Sequence, residues 1–511
     1  MNRTKKYIYN ISFSAALHLA SILSGFIIPR TILQSYGSEM NGIISSVNQF
    51  ISYFSIVEAG LGGAAMYALY KPLANKDYPA MNGIVSAAKK LYNQTGYIFA
   101  SMVLGLALLF PHFTENNSLL SYEMGLLVVV LGLKGVLEFF TLAKYRVLLD
   151  ADQKTYVIAI ATIVHLFTYT MIVAILAHYH TNIIVLKAVS LCSVYLRSLI
   201  LMIYVKRKYP SVNYNAQPDR QSMDKRWDVL YIQLLNTVLG ATPGVVIAVV
   251  IRDFKLASVY SVFYLVVAGV SGILTSFKTG LSAAFGDLIA RNAEKTIKKA
   301  YTSFEYLYYA LLTVACSTML ITIMPFIRIY TRGIVDTNYD IPLLGVLFTI
   351  NCLQINIMTP QRMLINSAGI YREMRGQTTT EAVLAIISET VLGYFYGVSG
   401  IVTGYIIAET YRAIYLLSYI PRNITKTRVK DSVIRQAMVY MAVALNGLLL
   451  HHIPYVPTNY LTWFAYALVV ACVTGIITGI MWFLFDKNTA KEIYHTFLKK
   501  RWKTSKLAEV E

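Results

Sequence analysis

The sequence predicts an all-α membrane protein of about fourteen transmembrane helices: two pseudo-symmetric six-helix bundles (spans 1–6 and 7–12) followed by two C-terminal helices. Three observations lead there. Of the 511 residues, 56% are hydrophobic and only 14% charged, against roughly 25% charged in a soluble domain. Apolar runs of about 17–25 residues, the length that crosses a hydrocarbon core, recur from one end of the chain to the other. The basic residues gather in every second connection between those runs. The predicted domains are a first lobe at 1–210, a second at 211–425, and two further helices with a basic tail at 426–511.

Reading the apolar runs in order gives spans at 7–29, 41–68, 95–112, 121–143, 156–178, 182–205, 227–251, 256–280, 301–326, 341–365, 376–397, 399–420, 435–453 and 460–485. The eleventh and twelfth are separated only by the glycines between 397 and 400. With the first residues placed inside, 34 of the 45 Lys and Arg fall on the cytoplasmic side, five fall outside and the rest lie within spans. One wrong span would reverse every later loop, so this asymmetry supports both the count and cytoplasmic N- and C-termini. The basic start (Arg3, Lys5, Lys6) before an apolar run reads as a retained first helix rather than a signal peptide. Residues 79–93 and the tail from Lys487 read as amphipathic helices lying on the membrane surface.

The net charge of +19 raises the question of a nucleic-acid partner. The cations are dispersed in short runs beside apolar segments, so they are topology signals and anionic-lipid contacts, and no nucleic-acid partner is expected. Cys192, Cys316, Cys352 and Cys472 stand alone in apolar stretches with no metal or redox spacing, as packing residues do. No nucleotide loop, HExxH or GxSxG motif occurs. The chain is therefore expected to be no enzyme and to hold no cofactor. Work across the membrane would draw on a proton or sodium gradient, the membrane potential, a substrate gradient or a partner.

Two strings suggest a duplication: GLGGAA at 60–65 and GLSAAF at 280–285, each closing an even-numbered span about 220 residues apart. Polar faces mark where a cavity would lie. Span 2 carries Ser45, Asn48, Gln49, Ser52, Ser55 and Glu58 at helical spacing, span 1 Asn10, Ser14 and His18, span 7 Gln233, Asn236 and Thr237, and span 10 Asn351, Gln354, Gln361 and Arg362. Such stripes face either a water-filled cavity, here predicted between the two bundles, or hydrogen-bonding partners on other helices. Among intramembrane charges, Lys134 and Glu138 are four apart and predict a local pair, as do Glu409 and Arg412. Lys187 and Arg197 read as snorkelling side chains. Arg30, Lys278 and Arg362 have no partner nearby in sequence and are candidate contacts for an anionic headgroup. The substrate-binding candidates are thus Arg30, Asn48, Gln49, Glu58, Lys134, Lys278 and Arg362.

The segments PRTILQSYGSEMNG at 29–42, EAGLG at 58–62 and LYKPLA at 69–74 resemble the polysaccharide flippases (Wzx type) of the multidrug/oligosaccharidyl-lipid/polysaccharide exporter superfamily. The local likeness covers about the first 80 residues, and Arg30 matches the family's arginine after the first span. The resemblance implies alternating access in a bacterial cytoplasmic membrane. The cargo would be an undecaprenyl-diphosphate-linked oligosaccharide, with a polysaccharide polymerase and glycosyltransferases as working partners. Lipid II flippases share the plan but crowd arginines into their first helices, whereas span 1 here has only Arg30. Multidrug extruders have twelve spans and acidic coupling residues, and span 1 here has no Asp or Glu. An ion-coupled exporter of small amphiphilic cations and a membrane scaffold for glycan-synthesis enzymes are the competing readings.

Overall fold

The computed structural model describes residues 3–58, 61–113, 119–219, 227–278, 281–291, 294–450 and 455–493. Among these there is no β-strand. That follows from the solvent: a lipid-exposed backbone must satisfy its own N–H and C=O groups, and a helix does so within one segment.

Among the described residues twelve helical stretches are long and apolar enough to cross a bilayer, but two of them each fold back on themselves. The helix Arg3–Phe54 holds 52 residues, about 78 Å at 1.5 Å per residue, more than twice a hydrocarbon core of about 30 Å. It breaks at Gly37, whose φ of 80° and ψ of 177° only a residue without Cβ adopts at no steric cost. Tyr371–Ile420 breaks in the same way at Gly397 (φ 59°, ψ −139°). Counting each as two spans gives the fourteen read from the sequence.

Contacts between helices test that count, because spans of equal parity must run parallel and spans of opposite parity antiparallel. Spans 1 and 5 are stitched by Asn10 to Gln153 and Tyr156, Ser24 to Thr170, and Tyr36 to the Thr181 carbonyl, at a near-constant offset. They are parallel. Spans 9 and 13 are also parallel, through Glu305–Arg435, Tyr309–Gln436 and Ser317–Asn446. Spans 9 and 14 run oppositely, with Trp463 on the Thr322 carbonyl and Trp482 on that of Tyr306. Spans 2 and 7 do too: Gln49 lies on Gly244, where an added Cβ would come within 2.3 Å of its Cγ, and Tyr53 bonds Thr242 at 3.0 Å.

The chain divides into two compact units. The first comprises Met1–Leu265, Gly333–Asn338 and Glu389–Ile401, and the second Val266–Arg332, Tyr339–Ser388 and Val402–Glu511. In the first, the core gathers Leu69, Val85, Phe99, Leu148 and their neighbours. One surface element read from the sequence is corrected here. Residues 79–93 begin a continuous helix, Tyr78–Leu109, and Met81, Ile84, Val85, Ala87 and Ala88 are buried in protein. The connection after span 6 covers them: Ser86 bonds the Ala216 carbonyl at 2.6 Å, Lys89 reaches Asn215 at 2.6 Å, and the Asn82 amide oxygen accepts from the Asn213 N–H at 2.8 Å. Of the second surface helix, Lys487–Ile493 is helical and the remainder lies outside the described residues. The duplicated strings, read from the sequence as closing spans 2 and 8, instead open the helices that come after those spans. The helix Leu61–Asn75 begins after span 2, and Leu281–Ala290 begins after span 8.

At the start of span 1, Lys6 (3.0 Å) and Lys154 (2.7 Å) both pair with Asp152, and the Tyr209 hydroxyl donates to the same carboxylate. Burial pushes the Asp152 carboxyl up, but these three donors outweigh it and hold it below the usual carboxylate range.

Candidate functional site

The polar stripe of span 2 opens onto a cavity of about 330 Å³ within the first unit, lined also by spans 3, 4 and 6. Span 2 contributes Asn48, Ser52, Ser55 and Glu58, the last two in a tighter turn, Ser55–Glu58, that follows the α-helix. Phe99 of span 3 with Leu131, Phe139 and Leu142 of span 4 make an apolar wall.

Span 4 supplies most of the charge through an irregularity. Its α-helix Ser121–Leu137 passes into a π-helical turn, Glu138–Leu142, before resuming as Ala143–Ala151. In a regular helix Arg146, twelve residues beyond Lys134, would point roughly 120° away from it. A π turn takes in one extra residue, so everything downstream lags by roughly 100°, and the two cations return to one side. Thr141 bonds the Leu137 carbonyl (2.6 Å) and Lys144 that of Phe140 (3.2 Å), satisfying acceptors that the widened turn loosens. Lys134, Glu138 and Arg146 all line the cavity, joined by Arg197 from span 6.

Three cations therefore face two carboxylates, Glu58 and Glu138. The Arg197 guanidinium meets Glu138 at 3.2 Å, with 14% and 38% of the two side chains exposed. Arg197 is thus mostly buried, and Glu138 is the partner that faces the cavity. Arg197 Nε is buried with no hydrogen-bond partner among the described residues, leaving a spare donor beside the cavity. Arg146 is tethered only loosely, 3.6 Å from Asp150. Lys134 is exposed and forms no ion pair among the described residues. The arrangement suits an anionic group of phosphate size with an apolar neighbour.

Of the seven sequence candidates, Asn48, Glu58 and Lys134 line this cavity. Gln49 sits one position round the helix, on Gly244. Arg30 is half-buried seven residues before the Gly37 break. Lys278 ends the helix Phe254–Lys278, and its side chain lies outside the described residues. Arg362 is in the second unit, 2.8 Å from Glu409 and 3.7 Å from Glu381, while Arg412 pairs with Glu381. The predicted pairs Lys134–Glu138 and Glu409–Arg412 are thus replaced by Arg197–Glu138 and Arg362–Glu409. Interhelical partners win because they reach the carboxylates without leaving the protein interior. Lys187 does not snorkel. It is buried, donates to the Tyr169 hydroxyl at 3.2 Å and lies 5.7 Å from that ring's centre. The polar side chains of span 10 serve packing: Gln354 bonds Thr410, Gln361 bonds Tyr309, and Asn356 bonds Ser271. Sequence reasoning missed Arg146, counted among the loop cations, and Arg197, whose isolation in an apolar run was the available signal.

No protein-family model matches the chain, and no curated protein matches it by sequence. Solved structures do match. The lipid II flippase MurJ in an inward closed conformation aligns with a TM-score of 0.61 at 13% identity, over 93% of this chain and 99% of that one. A MATE protein in a bent conformation gives 0.57 at 12% identity, over 86% and 97%. An inward-facing multidrug resistance MATE transporter of the MOP superfamily gives 0.53 at 10% identity, over 86% and 98%. The chain has the fold of these MOP superfamily transporters. It is a multi-pass membrane protein, and the structures it resembles are transporters rather than enzymes.

Proposed function

We propose that the protein is a flippase that moves a lipid-linked oligosaccharide diphosphate, of the undecaprenyl type, across the bacterial cytoplasmic membrane for surface polysaccharide synthesis. The observation that carries this reading is the cationic excess of the cavity, where Lys134, Arg146 and Arg197 outnumber Glu58 and Glu138. An exporter of amphiphilic cations would be served by the opposite sign. The apolar wall at Phe99, Leu131 and Phe139 suits the part of the carrier next to the diphosphate, and the hydroxyls and amide of span 2 suit sugars. The fold, shared with a lipid II flippase, supports the reading.

Lys134→Ala combined with Arg197→Ala is the test. Each charge-assisted hydrogen bond to a bound phosphate is worth about 1.5–3 kcal/mol, so surface polymer should fall at least tenfold in cells whose membrane content of the protein is unchanged. Full polymer output from the double variant, or heightened sensitivity to cationic drugs with polymer intact, would transfer the assignment to the exporter class.

Energy for net movement is proposed to enter at Glu389 in span 11. This carboxyl is fully buried in the first unit, and neither oxygen has a hydrogen-bond partner among the described residues. A buried carboxyl without hydrogen-bond donors is a costly feature to keep among membrane helices, which is the reason for assigning it to the coupling path. Glu389→Gln keeps the shape of the neutral acid. It should leave the protein folded while abolishing the dependence of flipping on the proton gradient in reconstituted vesicles; unchanged dependence removes Glu389 from the coupling path.

A further inference from the structure

A second cavity, of about 600 Å³, lies in the other unit, at the ends of spans 9, 13 and 14 where the Lys- and Arg-rich connections gather. Span 9 is the helix Glu294–Tyr330, 37 residues long and about 55 Å at 1.5 Å per residue, so its first turns extend beyond a hydrocarbon core of about 30 Å. On those turns Lys295, Lys298, Lys299 and Thr302 recur at helical spacing and form one wall of the cavity. Thr427, Asp431, Ser432 and Arg435 come from the approach to span 13 and its first turns, and Phe485, Asp486 and Thr489 from the end of span 14.

The floor is already saturated. Arg435 bonds Glu305 at 2.9 Å and Asp486 at 2.8 Å, and Ser432 and Tyr301 also donate to Glu305. Burial raises the Asp486 carboxyl, but Thr489 and Arg435 outweigh it and hold it below its ordinary range, so the floor stays an ion pair. The wall is different. Lys295 and Lys298 are exposed and form no ion pair among the described residues, and of the described lining residues Asp431 is the carboxylate outside the Arg435 ion pair. Beside these charges, Ile434 and Phe485 are exposed apolar side chains.

We propose that this cavity is a phospholipid site. It holds the phosphodiester of an anionic headgroup against Lys295 and Lys298, with the first methylenes of the acyl chains on Ile434 and Phe485. Phosphate chemistry explains the lysines and hydroxyls. The apolar rim at the ends of three spans favours a lipid over a soluble phosphate, and basic pockets between membrane helices are where anionic headgroups are held. The site shares no residue with the cavity of the first unit, so it stands or falls apart from the transport proposal.

The experiment uses the full chain purified from membranes containing phosphatidylglycerol, with lipid retained after detergent exchange quantified by mass spectrometry. Phosphatidylglycerol should be retained over phosphatidylcholine and should resist displacement by inorganic phosphate. Lys295→Gln with Lys298→Gln, both at exposed positions, should lower retention about thirtyfold, from about 1 kcal/mol per lysine near an anionic headgroup. Asp431→Asn should raise it, by removing the competing carboxylate. Equal retention of the two lipids, unchanged retention in the lysine variant, or ready displacement by inorganic phosphate would each overturn the proposal.

Discussion

Arg412→Ala is expected to destabilise the second unit by about 3–5 kcal/mol, the cost of leaving one half of a buried ion pair behind. Its partner Glu381 is fully buried, and the other cation near Glu381, Arg362, lies 3.7 Å away and is bonded to Glu409 at 2.8 Å. The four side chains form one neutral network on spans 10, 11 and 12, so a single truncation strands a charge. Replacing Arg412 and Glu381 together by methionine should recover most of the loss, because a matched apolar pair strands nothing. Thermal unfolding of the purified protein measures both. An Arg412→Ala variant as stable as the parent, or a double variant worse than either single, would show that the network is not held together in this way.

Gly42→Ala should be the most damaging single methyl in the first unit. A Cβ at Gly42 would lie 1.7 Å from the Phe254 carbonyl oxygen and 2.7 Å from its carbon, and backbone atoms at the start of a helix cannot swing aside as a side-chain tip can. The same turn carries Asn41, bonded to Ser258 at 2.8 Å and Ser261 at 3.2 Å, and Ser38, bonded through N–H and hydroxyl to Asp336. The added methyl must therefore separate span 2 from span 8 and break the Asn41 bonds between them. Crosslinking of Asn41→Cys to Ser258→Cys with a short thiol reagent should fall at least tenfold in the Gly42→Ala background, by overpacking worth about 1–3 kcal/mol. Gly25→Ala, where nothing lies within 4 Å, is the control. Equal crosslinking in the two backgrounds would mean that the seam yields.

The span count was legible because the bilayer permits few backbone solutions and because glycines mark the reversals at 37 and 397. The polar stripe on span 2 was legible for a related reason: helical periodicity fixes which residues share a face whatever their partners. The partners were not. Glu138 finds Arg197, 59 residues away, and Arg362 finds Glu409, 47 residues away, although each carboxylate has a cation within four residues. In a medium of low dielectric any opposite charge that fits outweighs a neighbour that points elsewhere, and sequence spacing records only the neighbour. The amphipathic start of the third span resembled a surface helix because its apolar face needs a cover, and sequence does not show that the chain supplies one from 211–219. The π turn in span 4 has no sequence signal either, and without it Arg146 reads as an ordinary loop cation.

That turn gives span 4 a property its neighbours in the cavity wall lack. It stores one residue more than a regular helix needs between Glu138 and Leu142, so the helix on either side can be re-indexed without being broken. If the surplus residue migrates along the helix or is deleted, Arg146 swings away by roughly 100° while Lys134 stays in place. The number of positive charges presented to cargo is then set by a local winding number. A change of one in that number would take the cavity from a net positive charge to neutrality, with Lys134 and Arg197 left against Glu58 and Glu138.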